Sequence, residues 1–413
     1  MIAKTALGLL AILVTTASCS DLLTVDNPTD ILDEDLNDTR YVSALANSAE
    51  GTLSLIYDDA VRYSELAADG IMHVSNRREN VQLDQGDFEG FNARTEVVWD
   101  EVSRSRWTAT EVTRRLDELL ENPQQDLRAA RVRYWDAVAR ITLADFFKEV
   151  PMDAGPPQTP ATVYQQAIDL LTAAAGIAQA AQSTEYEAAS HGTLARTYRS
   201  LYYEQGGTDM GLLASAAQHA RQALELDSRF RLDLVYAPPG SQNGLADGLR
   251  AIGQYDVMQA TWAHTVDPVS GEVEPRIPHG PVELTSAFGD PVYTQMKYAN
   301  SSSPIPVSRW QEARLIEAEY YWKSGDLGSA VEAINEVRAA VGLPEFQSQE
   351  PDEVRQQLIY ERAAEFWLEG RRWTDIRYYG IVPSRWSEAS KAAGTNRRWA
   401  VSLREQGTNP NYQ

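Results

Sequence analysis

The chain contains one cysteine, Cys19, and a lone thiol has no partner for a disulfide within the chain. It follows a segment in which Lys4 is the only charged residue, residues 5–14 are largely apolar, and residues 16–18 are small. Such a segment is typical of a secretory signal, and a cysteine directly after the small residues is the acylation position of bacterial lipoproteins. We therefore predict a lipid-modified Cys19; an ordinary cleaved signal with a chance cysteine is the alternative.

Acidic side chains outnumber basic ones by 59 to 37, which gives the 413-residue chain a net charge of −22. Such a charge disfavours binding to nucleic acid and to anionic lipid surfaces. After the signal, no run approaches the ~20 apolar residues of a membrane-spanning helix. The sequence therefore predicts an anchored ectodomain that is held together by packing alone.

Few residues have the spacing that catalysis requires. Glu361 and Glu365 lie one turn apart on a predicted helix, but a general acid/base pair needs an open cleft and separated pKa values. Glutamates and arginines on one helix more often form ion pairs. The five histidines show no His-Glu-x-x-His spacing, and no Gly-x-Ser-x-Gly elbow or phosphate-binding loop is present. We predict no catalytic residues, no metal site and no cofactor, although 59 acids leave a glycosidase pair open.

A small-to-aromatic pattern recurs three times in stretches with helical periodicity. In residues 139–147, 195–203 and 313–321, an Ala-Arg pair is followed after five residues by two adjacent aromatics. Four residues later the chain has a proline or a glycine, namely Pro151, Gly207 and Gly325. An alanine and an aromatic two turns apart on one face let neighbouring helices interlock. The pattern resembles tetratricopeptide-type helix hairpins; three unrelated alanine-rich hairpins are the alternative.

The organisation that follows is mainly all-α, with helix hairpins that form a scaffold and long inserted loops. We predict a signal peptide over residues 1–18, an acidic tether over 19–40 and a helical-repeat domain over 41–413. The inserted loops, about 69–99 and 236–306, are rich in glycine, proline, asparagine and tryptophan. Long loops on a rigid scaffold are where binding residues usually lie.

Several pieces of the chain, in the same order, resemble the RagB/SusD family of nutrient-uptake outer-membrane lipoproteins. Besides Cys19, they are LLTVDNP at 22–28, YSELAADG at 63–70, ARITLADFFKEVPM at 139–152, TPATVYQQAIDLLTAA at 159–174, KYAN at 297–300, RWQEARLIEAEYYWKSGD at 309–326, YERAAEFWLEGRRWTDIRYYG at 360–380 and NPNY at 409–412. The segment 183–260 has no counterpart, and the C-terminal helix carries tryptophan where the family more often has phenylalanine. These departures affect the identity of the ligand rather than the fold.

The resemblance implies a surface-exposed protein, attached to the outer membrane through the acylated Cys19. It also implies binding of an oligosaccharide or a peptide, and delivery to a SusC-like TonB-dependent transporter. Two other classes of function stay open from the residues alone. One is a lipid-anchored polymer hydrolase, and the other is an envelope scaffold built from helical repeats.

Sugar rings stack on aromatic faces, and their hydroxyl groups need asparagine, aspartate or arginine partners. Comparable segments form the ligand site in the resembling family. The candidate ligand-binding residues are therefore those of these types in the two inserted segments, namely Asn76, Arg77, Arg78, Trp99, Trp262 and Tyr293. The alternative for each tryptophan is a place in the core.

Overall fold

The structure is a computed structural model that describes residues 33, 35–246, 255–257, 262, 265–286, 289 and 291–412. About 60% of it is helical, which confirms the predicted fold class. The helices used below are α1 Val42–Leu53, α2 Tyr57–Ala67, α3 Arg78–Asp84, α4 Ala93–Leu119, α5 Leu127–Phe146, α6 Pro160–Ala180, α7 Thr184–Glu204, α8 Met210–Leu226, α9 Trp310–Ser324, α10 Leu327–Ala339, α11 Pro351–Glu365, α12 Arg372–Tyr379, α13 Glu388–Ala392 and α14 Leu403–Thr408.

The helices stack as pairs joined by short connections. Each helix from α4 to α8 packs against the next, and α9 packs against α8, α10 and α11. Ala139, Ala195 and Ala313 are buried in α5, α7 and α9, so the small residue of the repeated pattern is a packing position in all three. This is the hairpin scaffold that the pattern predicts.

Local signals set the helix ends. Thr159 accepts a hydrogen bond from the backbone N–H of Thr162, and Pro160 takes the first helical position of α6, where its missing N–H is not needed. Gly325 ends α9 in the left-handed conformation, with φ of 85°, as predicted for that position. The α5 helix ends at Phe146, ahead of the predicted Pro151.

The described residues also form six short strands, namely β1 Ile71–His73, β2 Arg231–Leu234, β3 Tyr255–Val257, β4 His279–Thr285, β5 Pro291–Gln295 and β6 Ile305–Arg309. They form three antiparallel pairs: β1 with β3, β2 with β6, and β4 with β5. The β3 strand also lies against β5. The two inserted segments therefore meet, because β1 belongs to the first segment, and β3 and β5 belong to the second.

The first inserted segment is more regular than its composition suggests. The sequence predicts a loop over about 69–99, whereas the structure contains β1, α3 and the first two turns of α4 there. The α4 helix starts early because the Asn92 side chain accepts a hydrogen bond from the N–H of Arg94, over 3.0 Å. Asn92 also donates to the Glu79 carbonyl, which ties α4 to α3.

The C-terminal segment returns to the N-terminal half of the chain. The indole N–H of Trp386 donates to the Ala67 carbonyl over 2.9 Å, and the Trp367 indole donates to the Gly70 carbonyl over 2.9 Å. Arg372 forms a buried bidentate pair with Asp69. The end of α2 is thus fixed by side chains about 300 residues later in the sequence, beside the start of the first inserted segment.

Candidate ligand-binding site

An ion-pair network is buried where the second inserted segment crosses α11. Glu361 is fully buried and accepts hydrogen bonds from Arg276 over 2.5 Å and from Arg338 over 2.6 Å. Arg276 is also bidentate to Glu274, and Arg338 is bidentate to Asp267. Glu361 therefore forms ion pairs, as the sequence indicates, but it is fully buried and its arginine partners come from other segments rather than from its own helix.

A second group of ion pairs continues the network at the end of α11 and just after it. Arg309 donates to Glu365 over 2.5 Å and to both carboxylate oxygens of Glu369, over 2.8 and 3.0 Å. Lys297 donates to Glu369 over 2.7 Å. Burial raises the pKa of Glu369, but Arg309 and Lys297 outweigh that effect and hold it below its ordinary value. Burial lowers the pKa of Lys297.

An open cleft of about 370 Å³ lies over these ion pairs, and we call it the charged cleft. Its volume is in the range of small-ligand sites. It is lined by Arg231, Arg276, Lys297, Tyr298, Ala299, Ser303, Pro304, Pro306, Arg309, Glu365 and Glu369. Lys297 and Arg309 are paired with Glu365 and Glu369, so these charged groups fix the wall of the cleft.

A second open cleft, of about 620 Å³, lies on the other side of the network, and we call it the amide cleft. It is lined by Pro268, Val269, Glu345, Phe346, Gln347, Glu353, Gln356, Gln357 and Tyr360. Gln357 donates to Glu361 over 2.6 Å and the Tyr360 hydroxyl donates to Glu274 over 2.8 Å. One ion-pair network therefore supports the walls of both clefts.

The polar residues predicted from the first inserted segment are at the surface. Asn76, Arg77 and Arg78 are exposed, directly after β1 and at the start of α3. Tyr293 is half-buried on β5, with its ring 6.2 Å from that of His279. Because β3 lies between β1 and β5, the structure brings these two parts of the prediction into one region.

The two predicted tryptophans are in the main core. Trp99 is 2% exposed and packs edge-on against Phe147, with ring centroids 4.9 Å apart. Trp262 is 4% exposed. The centroid of its ring lies 5.6 Å from the guanidinium carbon of Arg372. The structure therefore supports the core alternative for both, because neither indole has a face open for a sugar ring.

The sequence analysis missed the most exposed tryptophan of the chain. Trp107 is 56% exposed on α4, at the edge of a groove of about 680 Å³ that we call the Trp107 groove. The groove is lined by Asp33, Leu36, Tyr41, Ala44, Leu45, Ser48, Trp107, Thr108, Glu111, Val112 and Arg115. The sequence gives no clear signal for this exposure, because Trp107 lies about two turns after the buried Trp99 and its polar neighbours Ser105 and Arg106 are buried.

Two features of the described ranges bear on the remaining predictions. None of their helices is long and apolar enough to cross a membrane. In the same ranges no three histidine, cysteine, aspartate or glutamate side chains group together as metal ligands. Cys19 and residues 20–32 of the tether lie outside the described residues.

Comparison with known proteins adds a family match over part of the chain and a shared fold. Residues 279–412 match the model of the SusD family. No curated protein matches the sequence.

Among solved structures, a SusD superfamily protein from Bacteroides vulgatus has a TM-score of 0.69 at 15% identity, over 91% of this chain and 98% of that one. A SusD-like carbohydrate-binding protein from Bacteroides fragilis has a TM-score of 0.67 at 16% identity, over 91% and 99%. Surface glycan-binding protein A from Bacteroides uniformis has a TM-score of 0.67 at 15% identity, over 90% and 98%. The C-terminal third of the chain thus matches the SusD family model, and the chain shares the fold of these SusD superfamily structures, in line with the resemblance seen in the sequence.

Proposed function

We propose that this chain is a surface-exposed outer-membrane lipoprotein that binds an oligosaccharide and delivers it to a SusC-like TonB-dependent transporter. The family match supports this proposal, as do the names of two structural relatives, which describe carbohydrate binding and surface glycan binding. A peptide is the second candidate ligand, since the sequence does not choose between the two. The transporter and the acyl anchor follow from the resemblance and from the position of Cys19.

One observation carries the ligand part of the proposal: two open clefts lie where the second inserted segment meets α11 and its flanking residues, and both clefts contact one ion-pair network. A sugar hydroxyl donates and accepts, so its site needs both kinds of partner. In the amide cleft, the exposed side-chain amides of Gln347 and Gln356 supply hydrogen-bond donors and acceptors. Phe346 and Tyr360 provide apolar ring surface.

The same geometry favours binding over hydrolysis. A glycosidase acid needs a raised pKa and a position beside the scissile bond. The charged cleft has two glutamates, but Glu365 and Glu369 both accept hydrogen bonds from Arg309, and the pKa of Glu369 is lowered. The lowered pKa makes Glu369 a poor proton donor, and Glu365 is held by Arg309, which together favour binding over hydrolysis.

The test is titration calorimetry of residues 20–413 with a panel of neutral and acidic oligosaccharides, together with chromatography of the mixtures. Binding without new products is the expected result. The double variant Gln347→Ala with Gln356→Ala should weaken binding by at least tenfold without a change in melting temperature, because both side chains are exposed. Glu388→Gln, on an exposed turn of α13, is the matched control and should bind normally.

The outcomes separate the candidate functions. Shortened products would favour the hydrolase. Binding of peptides but not oligosaccharides would change the ligand class. No binding to either, together with copurification of other envelope proteins, would favour the scaffold.

A further inference from the structure

The Trp107 groove is an apolar surface between the N-terminal segment and α4. Its lining comes from α1, from the short 3₁₀ turns Asp35–Asn37 and Thr39–Tyr41, and from α4. Leu36, Leu45 and Val112 contribute apolar side chains, and Trp107 stands at the edge with more than half of its surface exposed. An exposed indole beside a groove of this size indicates a binding surface.

The chemistry of the groove favours an apolar peptide over a sugar. Its charged groups are already paired at one end, where Arg115 donates to Asp33 over 2.6 Å and to Glu111 over 2.9 Å. Ser48 donates to the Leu45 carbonyl. A sugar bound here would give up water around its hydroxyl groups for few free partners, which is unfavourable. Leucine and isoleucine side chains meet no such cost.

We propose that residues 20–32 of the same chain dock in the Trp107 groove. These residues lie outside the described part of the chain, and their sequence, SDLLTVDNPTDIL, alternates acidic residues with five large apolar ones. This segment ends next to Asp33, which lines the groove. Arg115 donates hydrogen bonds to the backbone carbonyl and to the carboxylate of Asp33, over 3.0 and 2.6 Å. The covalent continuation of the groove wall is therefore an acidic segment that carries five large apolar side chains.

Attachment makes even weak docking sufficient. A segment tethered next to its site has an effective concentration on the order of millimolar. An extended segment of this length would reach roughly 45 Å, at ~3.4 Å per residue. Acylation of Cys19 rests on the proposed function. If Cys19 is acylated, docking of residues 20–32 would shorten the distance between the membrane and the body of the protein. The docking itself does not depend on the acyl chain.

The test uses unlipidated residues 20–413 and hydrogen–deuterium exchange of the segment 20–32. The expected result is slowing by at least tenfold relative to an unstructured peptide of the same sequence. Leu22→Asp with Leu23→Asp in the segment, and Ala44→Glu in the groove, should each abolish the slowing. Ala44 is exposed, so its substitution leaves the fold intact. Thr29→Asp, which adds charge at a polar position, is the control and should retain the slowing.

A second measurement keeps the proposal falsifiable if a variant is unstable. With Cys19 absent, a chain with Leu23→Cys and Ala44→Cys should form an intramolecular disulfide, whereas Leu23→Cys with Ser387→Cys should not. Free exchange of residues 20–32 in the native chain overturns the proposal. Slowed exchange that neither substitution changes also overturns it. Both results are obtained without membrane or glycan, so they are independent of the outcome for the proposed function.

Discussion

The Arg276 guanidinium donates to Glu361 over 2.5 Å, and this contact joins two segments that are 85 residues apart. Glu361 also accepts from Arg338, so one buried carboxylate serves two buried guanidinium groups. The contact fixes the inserted segment on α11, between the charged cleft and the amide cleft. The shape of both clefts therefore depends on a buried ion pair.

We predict that Glu361→Gln destabilises the protein by about 3–5 kcal/mol, because it leaves two buried cations with less compensation. Glutamine has nearly the same shape, so the change tests the charge rather than the packing. Urea unfolding at neutral pH measures the effect. Glu388→Gln removes an exposed ion pair to Lys391 and should cost less than about 1 kcal/mol. Equal effects of the two substitutions would contradict the role of the buried network.

The helical scaffold could be predicted because its signals are local. Alanine and aromatic residues two turns apart, a cap such as Thr159 and a terminal glycine such as Gly325 all act within one or two helices. The interpretation of Glu361 as an ion-pairing residue also came from its own helix. These predictions needed no knowledge of contacts between distant segments.

The clefts could not be predicted because their residues are brought together over long distances in sequence. Lys297 meets Glu369 from 72 residues away, and Arg309 meets it from 60. Composition also misled, because tryptophan and asparagine in the first inserted segment indicated an open loop. Asn92 instead caps α4, and the helix then turns Trp99 into the core while Trp107 faces solvent.

We predict that Trp99→Ala lowers the stability by about 3–5 kcal/mol, because it leaves a large cavity beside Phe147. Trp107→Ala, on the same helix, should cost less than about 1 kcal/mol, since its indole is 56% exposed. Thermal unfolding of the two variants makes the comparison within one element. If Trp99→Ala weakened glycan binding and left the melting temperature unchanged, Trp99 would return to the ligand site.

Acid should destabilise the contact between α7 and α8. His191 and His219 face each other with their Nδ1 atoms 3.0 Å apart, so one ring donates and the other accepts. Burial, and then the neighbouring His219, lowers the pKa of His191 to about 4, and burial also lowers the pKa of His219. The unfolded chain therefore takes up protons first, and stability is lost as the pH falls from about 6.5 to 4.

The two histidines should together change the free energy of unfolding by on the order of 1 kcal/mol over this pH range. This is less than their pKa shifts alone would give, because both rings are partly exposed to solvent. Glu187 and Glu225 line the cavity beside His191. His191→Gln removes one titrating group, so its stability should fall less than that of the native chain over this pH range. Parallel curves from chemical denaturation would show that the pair does not contribute.

Glu65 should have the opposite pH dependence. It is fully buried at the end of α2, where Gly370 donates to one carboxylate oxygen over 3.1 Å. Burial raises its pKa to about 8, so the folded protein keeps this proton while the unfolded chain releases it above pH 4.5. The associated stability is complete below pH 4.5 and is lost as the pH rises toward 8, by up to about 3 kcal/mol at pH 7.

The substitution Glu65→Gln keeps this side chain neutral at every pH. Relative to the native protein, the variant should gain stability as the pH is raised from 5 to 8. Urea unfolding at several pH values gives the difference directly. A difference that does not change with pH would mean that Glu65 is ionised in the folded state.

The anchor is tested by Cys19→Ala in the full-length precursor. We predict a folded protein that leaves the membrane fraction, because each acyl CH₂ placed in the bilayer contributes about 0.8 kcal/mol and a chain without acyl groups has no comparable attachment. Fractionation at high salt, with a labelled fatty acid and without a cognate transporter, measures attachment and acylation together. Ser20→Ala, next to the cysteine, is the control and should remain membrane-bound and labelled. Recovery of Cys19→Ala in the membrane pellet under these conditions would mean that something other than the thiol holds the protein there.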